Sequence, residues 1–122
     1  MTETRYTREH EWIRVEGDTA TIGITAHAAE QLGDVVFVEL PAVGAKFSQA
    51  DDLAVVESVK AASEVFAPIT CEIVAVNETL EADPGKVNVD PDGAGWFVKV
   101  KYTDAAQLAG LMDEDAYKAY VG

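Results

Sequence analysis

The segment Val56-Glu57-Ser58-Val59-Lys60-Ala61-Ala62-Ser63-Glu64-Val65 is nearly the same in both directions about the Lys60–Ala61 bond. Folding it at that bond predicts a β-hairpin with Val56 beside Val65, Glu57 beside Glu64, Ser58 beside Ser63 and Val59 beside Ala62. β-Branched residues on both arms favour extended backbone, and directly opposed side chains of an antiparallel pair interact. Lys60 then stands alone at the tip. The hairpin has no Asn-Gly or Asp-Gly, the pairs that suit the commonest tight turns, so a type I-like turn held by its surroundings is expected. Opposed glutamates add a cost of roughly 0.2–1 kcal/mol. A segment that breaks two local rules is most often a functional one.

An exposed lysine at a turn is ordinarily only a solvated charge. Here the residues around it, Val59, Ala61 and Ala62, are small or apolar, so a protein could approach the ammonium without desolvating other charges. Lys60 therefore has the character of a presented residue. Val59-Lys60-Ala61 resembles the lipoyl-lysine tip of swinging-arm carrier domains and differs from the Met-Lys-Met of biotin carriers.

A chain of 122 residues with 48% hydrophobic content is expected to form a single domain, 1–122, around one core. Nine basic against 22 acidic side chains give a net charge of −13, which repels phosphate backbones and anionic lipids and argues against nucleic-acid or membrane partners. Basic protein surfaces are the natural partners; the same charge would also serve simply to keep a monomer soluble. Cys71 is the single cysteine, so no intrachain disulfide is possible, and with no base or cationic cluster beside it, it is expected to be a small buried hydrophobe. No apolar run has the length of a membrane span, and residues 1–10 lack the hydrophobic stretch of a signal peptide. A cytoplasmic protein is expected, or one of the mitochondrial matrix if this is a processed form.

After a polar start, alternating runs predict strands over Trp12–Glu16 and Thr19–Ile24, joined at Gly17-Asp18. Thr25 is placed to cap a short helix over residues 26–32 that Gly33 stops. Strands follow over Val35–Leu40, near Phe47, on both arms of the hairpin, over Cys71–Val76 and over Trp96–Tyr102. Residues 79–95, rich in Asp, Pro and Gly, are expected to be an ordered loop with one helical turn. Asp104 opens a helical C-terminal region, with Leu108, Leu111 and Met112 at helical spacing and a last short helix near Asp115 to Tyr120. The fold class is mainly β, a flattened β-barrel or sandwich, with a lysine-bearing hairpin and a helical tail.

In order, Tyr6-Thr7, His10-Glu11-Trp12, Gly23-Ile24-Thr25, Gln31-Leu32-Gly33-Asp34-Val35-Val36-Phe37-Val38-Glu39-Leu40-Pro41, the hairpin from Glu57 to Glu64, Ala67-Pro68-Ile69 and Gly95-Trp96 resemble the glycine cleavage H-protein family over nearly the whole chain. Thr70-Cys71 stands where that family usually has Ser-Gly, and Asp90-Pro91-Asp92 where Asp-Pro-Tyr is more familiar. The resemblance implies a barrel-sandwich hybrid and a non-enzymatic carrier with lipoate in amide linkage to Lys60. It further implies a place in glycine catabolism and one-carbon metabolism: the aminomethyl group is received from glycine decarboxylase, aminomethyltransferase passes its methylene to tetrahydrofolate, and dihydrolipoyl dehydrogenase reoxidises the dithiol. Because they flank Lys60 and their mutual repulsion gives no structural reason to keep both, Glu57 and Glu64 are expected as recognition residues for lipoate-attaching enzymes and partners. Glu11 and Glu64 are implied as walls of a cleft in which the arm rests; His27, beside Ala26 in the short helix, is placed either at the border of that cleft or on the surface.

The residues themselves leave other readings open. His10 and His27 are the only histidines, and without cysteines or spaced carboxylates around them a metal or acid-base pair is not expected. Trp12 and Trp96 are expected as core aromatics. A biotin carrier would use the same lysine, but the methionines that flank it there are missing beside Lys60. An unmodified acidic interaction module leaves the near-palindrome unexplained, and a hydrolase has no nucleophile and base to build on.

Overall fold

A computed structural model describes residues 2–102 and 104–121. Met1, Thr103 and Gly122, which the expected 1–122 domain includes, lie outside the described residues. The strands are β1 (Thr2–Tyr6), β2 (Glu11–Glu16), β3 (Thr19–Ile24), β4 (Val35–Glu39), β5 (Lys46–Phe47), β6 (Asp52–Ser58), β7 (Ala62–Phe66), β8 (Cys71–Val76) and β9 (Val98–Tyr102). They form two antiparallel sheets, one of six strands in the order β1-β2-β3-β9-β8-β5 and one of three in the order β4-β6-β7. The expected choice between barrel and sandwich thus resolves to two sheets, with no closed barrel among the described residues.

The core lies between the sheets. Ile13, Ile22, Ile73, Val98 and Val100 on the larger sheet and Val38, Val56 and Val65 on the smaller are buried in one cluster. The period-2 alternation of each strand puts these residues on one face. Helix α1 (Ala26–Leu32) begins and ends as expected: Thr25 Oγ1 accepts from Ala28 N, and Gly33 at φ 80° closes it. The loop over 79–95 holds two single-turn helices instead of one, α2 (Thr79–Ala82) and α3 (Lys86–Val89). Helices this short do not persist alone. Burial of Leu80 and Val87, each about 1.5–3 kcal/mol, holds them against the core. Helices α4 (Ala106–Ala109) and α5 (Glu114–Val121) form the tail, and Asp104 Oδ1 accepts from Ala106 N near its start.

Two expectations need correction. The polar start is strand β1, paired with β2 from Thr2↔Glu16 to Tyr6↔Trp12; as an edge strand with charges at Glu3 and Arg5 it lacks the apolar alternation that marks a strand. The hairpin is also not folded at the Lys60–Ala61 bond. Its register is Ala54↔Val65, Val55↔Glu64, Val56↔Ser63 and Glu57↔Ala62, which places Val59 and Lys60 together at the tip. Glu57 does not face Glu64. Relative to the symmetric pairing one arm has slipped by two residues, which leaves every side chain on the same face of the sheet and removes the opposed acids.

Trp12 lies opposite Gly23 on β3 and is almost wholly buried. A Cβ at Gly23 would come within 2.6 Å of the indole, so only glycine lets the ring lie against the strand. The indole Nε1 donates to Pro91 O at 3.0 Å, and Arg14 covers the ring from 4.7 Å. Gly23→Ala should therefore lower stability by about 1–3 kcal/mol, read by urea unfolding followed through tryptophan fluorescence. An unchanged midpoint would show that the indole has room to shift.

Candidate functional site

The tip of the β6–β7 turn is built around one hydroxyl. Ser58 Oγ accepts from Lys60 N (3.3 Å) and Ala61 N (3.1 Å), while Ser58 N donates to Ala61 O at 2.7 Å. Neither Val59 nor Lys60 has a positive φ; among the described residues only His10 and Ala50, apart from glycines, do. The turn is thus not one of the primed hairpin turns, and a serine side chain supplies the bracing that Asn-Gly would otherwise provide. A serine two positions before the lysine was the available signal for this.

The tip is also docked. Val59 N donates to Asp34 O at 3.0 Å, which ties it to the corner between α1 and β4. That corner is clamped by Asn88 of α3, whose Oδ1 accepts from Val35 N and whose Nδ2 donates to Gly33 O, both at 2.8 Å. Gly33 serves the lysine as well: a Cβ there would lie 3.4 Å from Lys60 Cε, so the stem of the lysine runs over bare backbone. Lys60 and Val59 are exposed.

On the outward face of the smaller sheet, acids and apolar residues form a checkerboard. One row across the strands is Glu39, Val55, Glu64 and the next is Phe37, Glu57, Ala62. No acid stands opposite another, so Glu57 and Glu64 are exposed carboxylates separated by apolar neighbours.

Beside the hairpin is a cleft of about 180 Å³. Its walls are Glu9, His10 and Glu11 with Ile24, the α1 residues Ala28, Gln31 and Leu32, and Val56, Ser63, Glu64 and Val65 of the hairpin. Glu11 and Glu64 are therefore brought together. His27 is not among the lining residues; it packs against His10, with ring centroids 4.6 Å apart, and His10 takes the place at the cleft. A larger hollow of about 370 Å³ near Lys46, Cys71 and Lys101 borders the other sheet and includes no hairpin residue. Cys71 there is buried, and burial pushes its thiol up to about 11, so it is the inert hydrophobe expected. Among the described residues no His, Cys, Asp and Glu grouping could hold a metal ion. Trp96 is only half-buried, with Lys99 Nζ 5.2 Å from its ring.

Glu11 is 2% exposed, the one buried carboxyl group among the described residues. Thr7 Oγ1 donates to Oε1 at 2.6 Å, and Phe66 N donates to Oε2 at 3.3 Å, so the group bridges the larger sheet to the edge strand of the smaller. Burial pushes its pKa up to about 7, against the opposing effect of these two hydrogen bonds. The cleft thus holds an exposed carboxylate at Glu64 and a buried carboxyl at Glu11 that titrates near neutrality. Such a site suits a small cation on a flexible apolar stem.

The fold and the tip together define a class: a two-sheet domain that presents one braced lysine on a hairpin beside a carboxyl-lined cleft. The profile described as "Glycine cleavage H-protein" matches residues 4–122. The glycine cleavage system H protein of Phenylobacterium zucineum is 60% identical over 117 residues, 96% of this chain and 97% of that protein. The one from Beijerinckia indica is 58% identical over 121 residues, 99% and 98% of the two chains. The crystal structure of a glycine cleavage system H protein from Mycobacterium marinum superposes with a TM-score of 0.90 at 38% identity, covering 98% of this chain and 97% of that one. The chain belongs to the glycine cleavage H-protein family.

The Glu11 carboxyl has a testable consequence for stability. Its folded pKa lies above the ordinary value of 4.5, so its stabilising effect is complete below about pH 4.5 and is lost as pH rises through about 7. Relative to Glu11→Gln, which does not titrate, the parent should lose on the order of 2–3 kcal/mol between about pH 5 and pH 8 in urea unfolding. Parallel pH profiles would mean that Glu11 is ionised throughout.

Proposed function

We propose that this protein is the lipoyl-bearing, non-catalytic carrier of the glycine cleavage system, with lipoate in amide linkage to Lys60 Nζ. The observation that carries the reading is an exposed lysine on a rigid, doubly anchored tip, next to a cleft with two carboxyl groups. When bound, lipoate supplies a dithiolane sulfur that accepts the aminomethyl group of glycine and a dithiol that can be reoxidised. The chain's own residues present and protect. Ser58 and Asp34 fix where the lysine emerges. Val56, Val65, Ile24 and Leu32 give the cleft apolar walls that exclude water, and Glu64 and Glu11 give it acceptors for an ammonium group. A cation held there draws Glu11 toward its charged form.

The partners on this reading are glycine decarboxylase, which loads the carrier, aminomethyltransferase, which unloads it, dihydrolipoyl dehydrogenase, and the enzymes that attach lipoate. Glu57 and Glu64, exposed on the outward face next to the tip, are the recognition residues. The net charge of −13 favours basic docking surfaces on all of them. Bacterial relatives support a cytoplasmic carrier over one of the mitochondrial matrix.

Expression with a lipoylation system should add a lipoyl or octanoyl mass to Lys60 and to no other lysine, read by tryptic mass spectrometry. Lys60→Arg should fold with stability within about 0.5 kcal/mol of the parent and support no glycine decarboxylation. An unmodified Lys60 beside a competent ligase would overturn the reading.

Glu57→Gln with Glu64→Gln should slow lipoylation and leave the melting temperature unchanged, because the observed register places no acid opposite either residue. A fall in melting temperature at an unchanged lipoylation rate would assign the pair to structure.

A further inference from the structure

Two walls of the cleft come from distant parts of the chain, and one hydroxyl joins them. His10 belongs to the approach to β2 and lines the cleft directly. Thr25 caps α1, whose Ala28, Gln31 and Leu32 form the facing wall. Tyr117 of α5 sets its Oη 2.9 Å from His10 Nδ1 and 2.7 Å from Thr25 Oγ1. Its ring is buried and stacks on Tyr6, with centroids 4.6 Å apart and planes 12° from parallel. The backbone adds a parallel link, since Thr25 N donates to His10 O at 2.9 Å.

Ala28 N donates to Thr25 Oγ1, so the Thr25 proton is free to go to Tyr117 Oη and the Tyr117 proton to His10 Nδ1. Both hydroxyl protons then have a partner among the described residues, whereas the reverse direction gives the Thr25 hydroxyl proton none. In that first direction His10 is the neutral tautomer with its proton on Nε2. It is held at φ 71°, a left-handed conformation that a residue with a Cβ adopts only when its surroundings impose it.

We propose that Tyr117 is a positioning residue for the cleft: its hydroxyl locks His10 to the α1 cap and so sets the spacing of the walls that shelter the cargo on the arm. The proposal rests on the reading of this cleft as the resting place of the loaded arm. It assigns the C-terminal helix a part in carrier chemistry although none of its residues lines the cleft.

The test uses the full chain with Tyr117→Phe, which keeps the ring and its stack on Tyr6. The nitrogen NMR spectrum of the His10 imidazole should lose its single-tautomer signature, and the Ala28 and Ala29 amides should exchange with solvent faster. Spontaneous release of ammonia from the loaded carrier should rise about three- to tenfold, the effect of one lost hydrogen bond, with lipoylation of Lys60 unchanged. Thr25→Ser should behave as the parent and Thr25→Val as Tyr117→Phe at His10. An unchanged His10 tautomer and unchanged amide exchange in Tyr117→Phe would overturn the proposal. So would an unchanged release rate where Glu11→Gln, measured alongside, does accelerate release. If neither variant alters release, the cleft reading itself is what fails, and the proposal falls with it.

Discussion

The register of the hairpin depends on the Ser58 hydroxyl. By accepting from two amides of the tip it makes Val59-Lys60 the turn, and every pairing back along β6 and β7 follows from that choice. Ordinary turn chemistry would ask for a glycine or asparagine here, and either would place a different residue where Lys60 must stand. Solving the turn with a side chain from the preceding strand leaves the tip positions free for presentation. The Asn88 clamp acts one layer below, fixing the corner that receives Val59 N. A lysine meant to be recognised by several proteins gains from such bracing, because little disorder has to be removed at each encounter.

The near-palindrome pointed to the right hairpin and the wrong pairing. Hydrophobic alternation has a period of two, so it detects a slip of one residue and is blind to a slip of two. Val56 and Val65 are buried in either register; only the hydrogen bonds of Ser58 decide. Strands with clean alternation, the α1 cap at Thr25 and the stop at Gly33 were legible because each rests on local chemistry. Strand β1 was not, since an edge strand needs no apolar face. The two turns of helix in 79–95 owe their existence to burial of Leu80 and Val87, a tertiary effect that their own sequence hides.

At the cleft, sequence identified the acids and missed what holds them. Glu11 is buried and bridges both sheets, where a surface acid was a fair alternative for a residue in a polar opening. His10 and not His27 lines the cleft, and the left-handed backbone at position 10 was not marked by any local pattern. The bond from Tyr117 to His10 spans 107 positions, beyond the reach of any local pattern.

The smaller sheet is drawn wholly from residues 35–66, whereas β3 must pair with β9, Thr19 reaching Lys101. Contacts close in sequence cost less loop entropy and form sooner. During synthesis all three strands of the smaller sheet therefore emerge while the larger sheet still waits for β9. Every residue that lines the cleft precedes Tyr117, whose hydroxyl joins His10 to Thr25. In order of synthesis, then, the attachment point precedes the last bond that braces the shelter for what it carries.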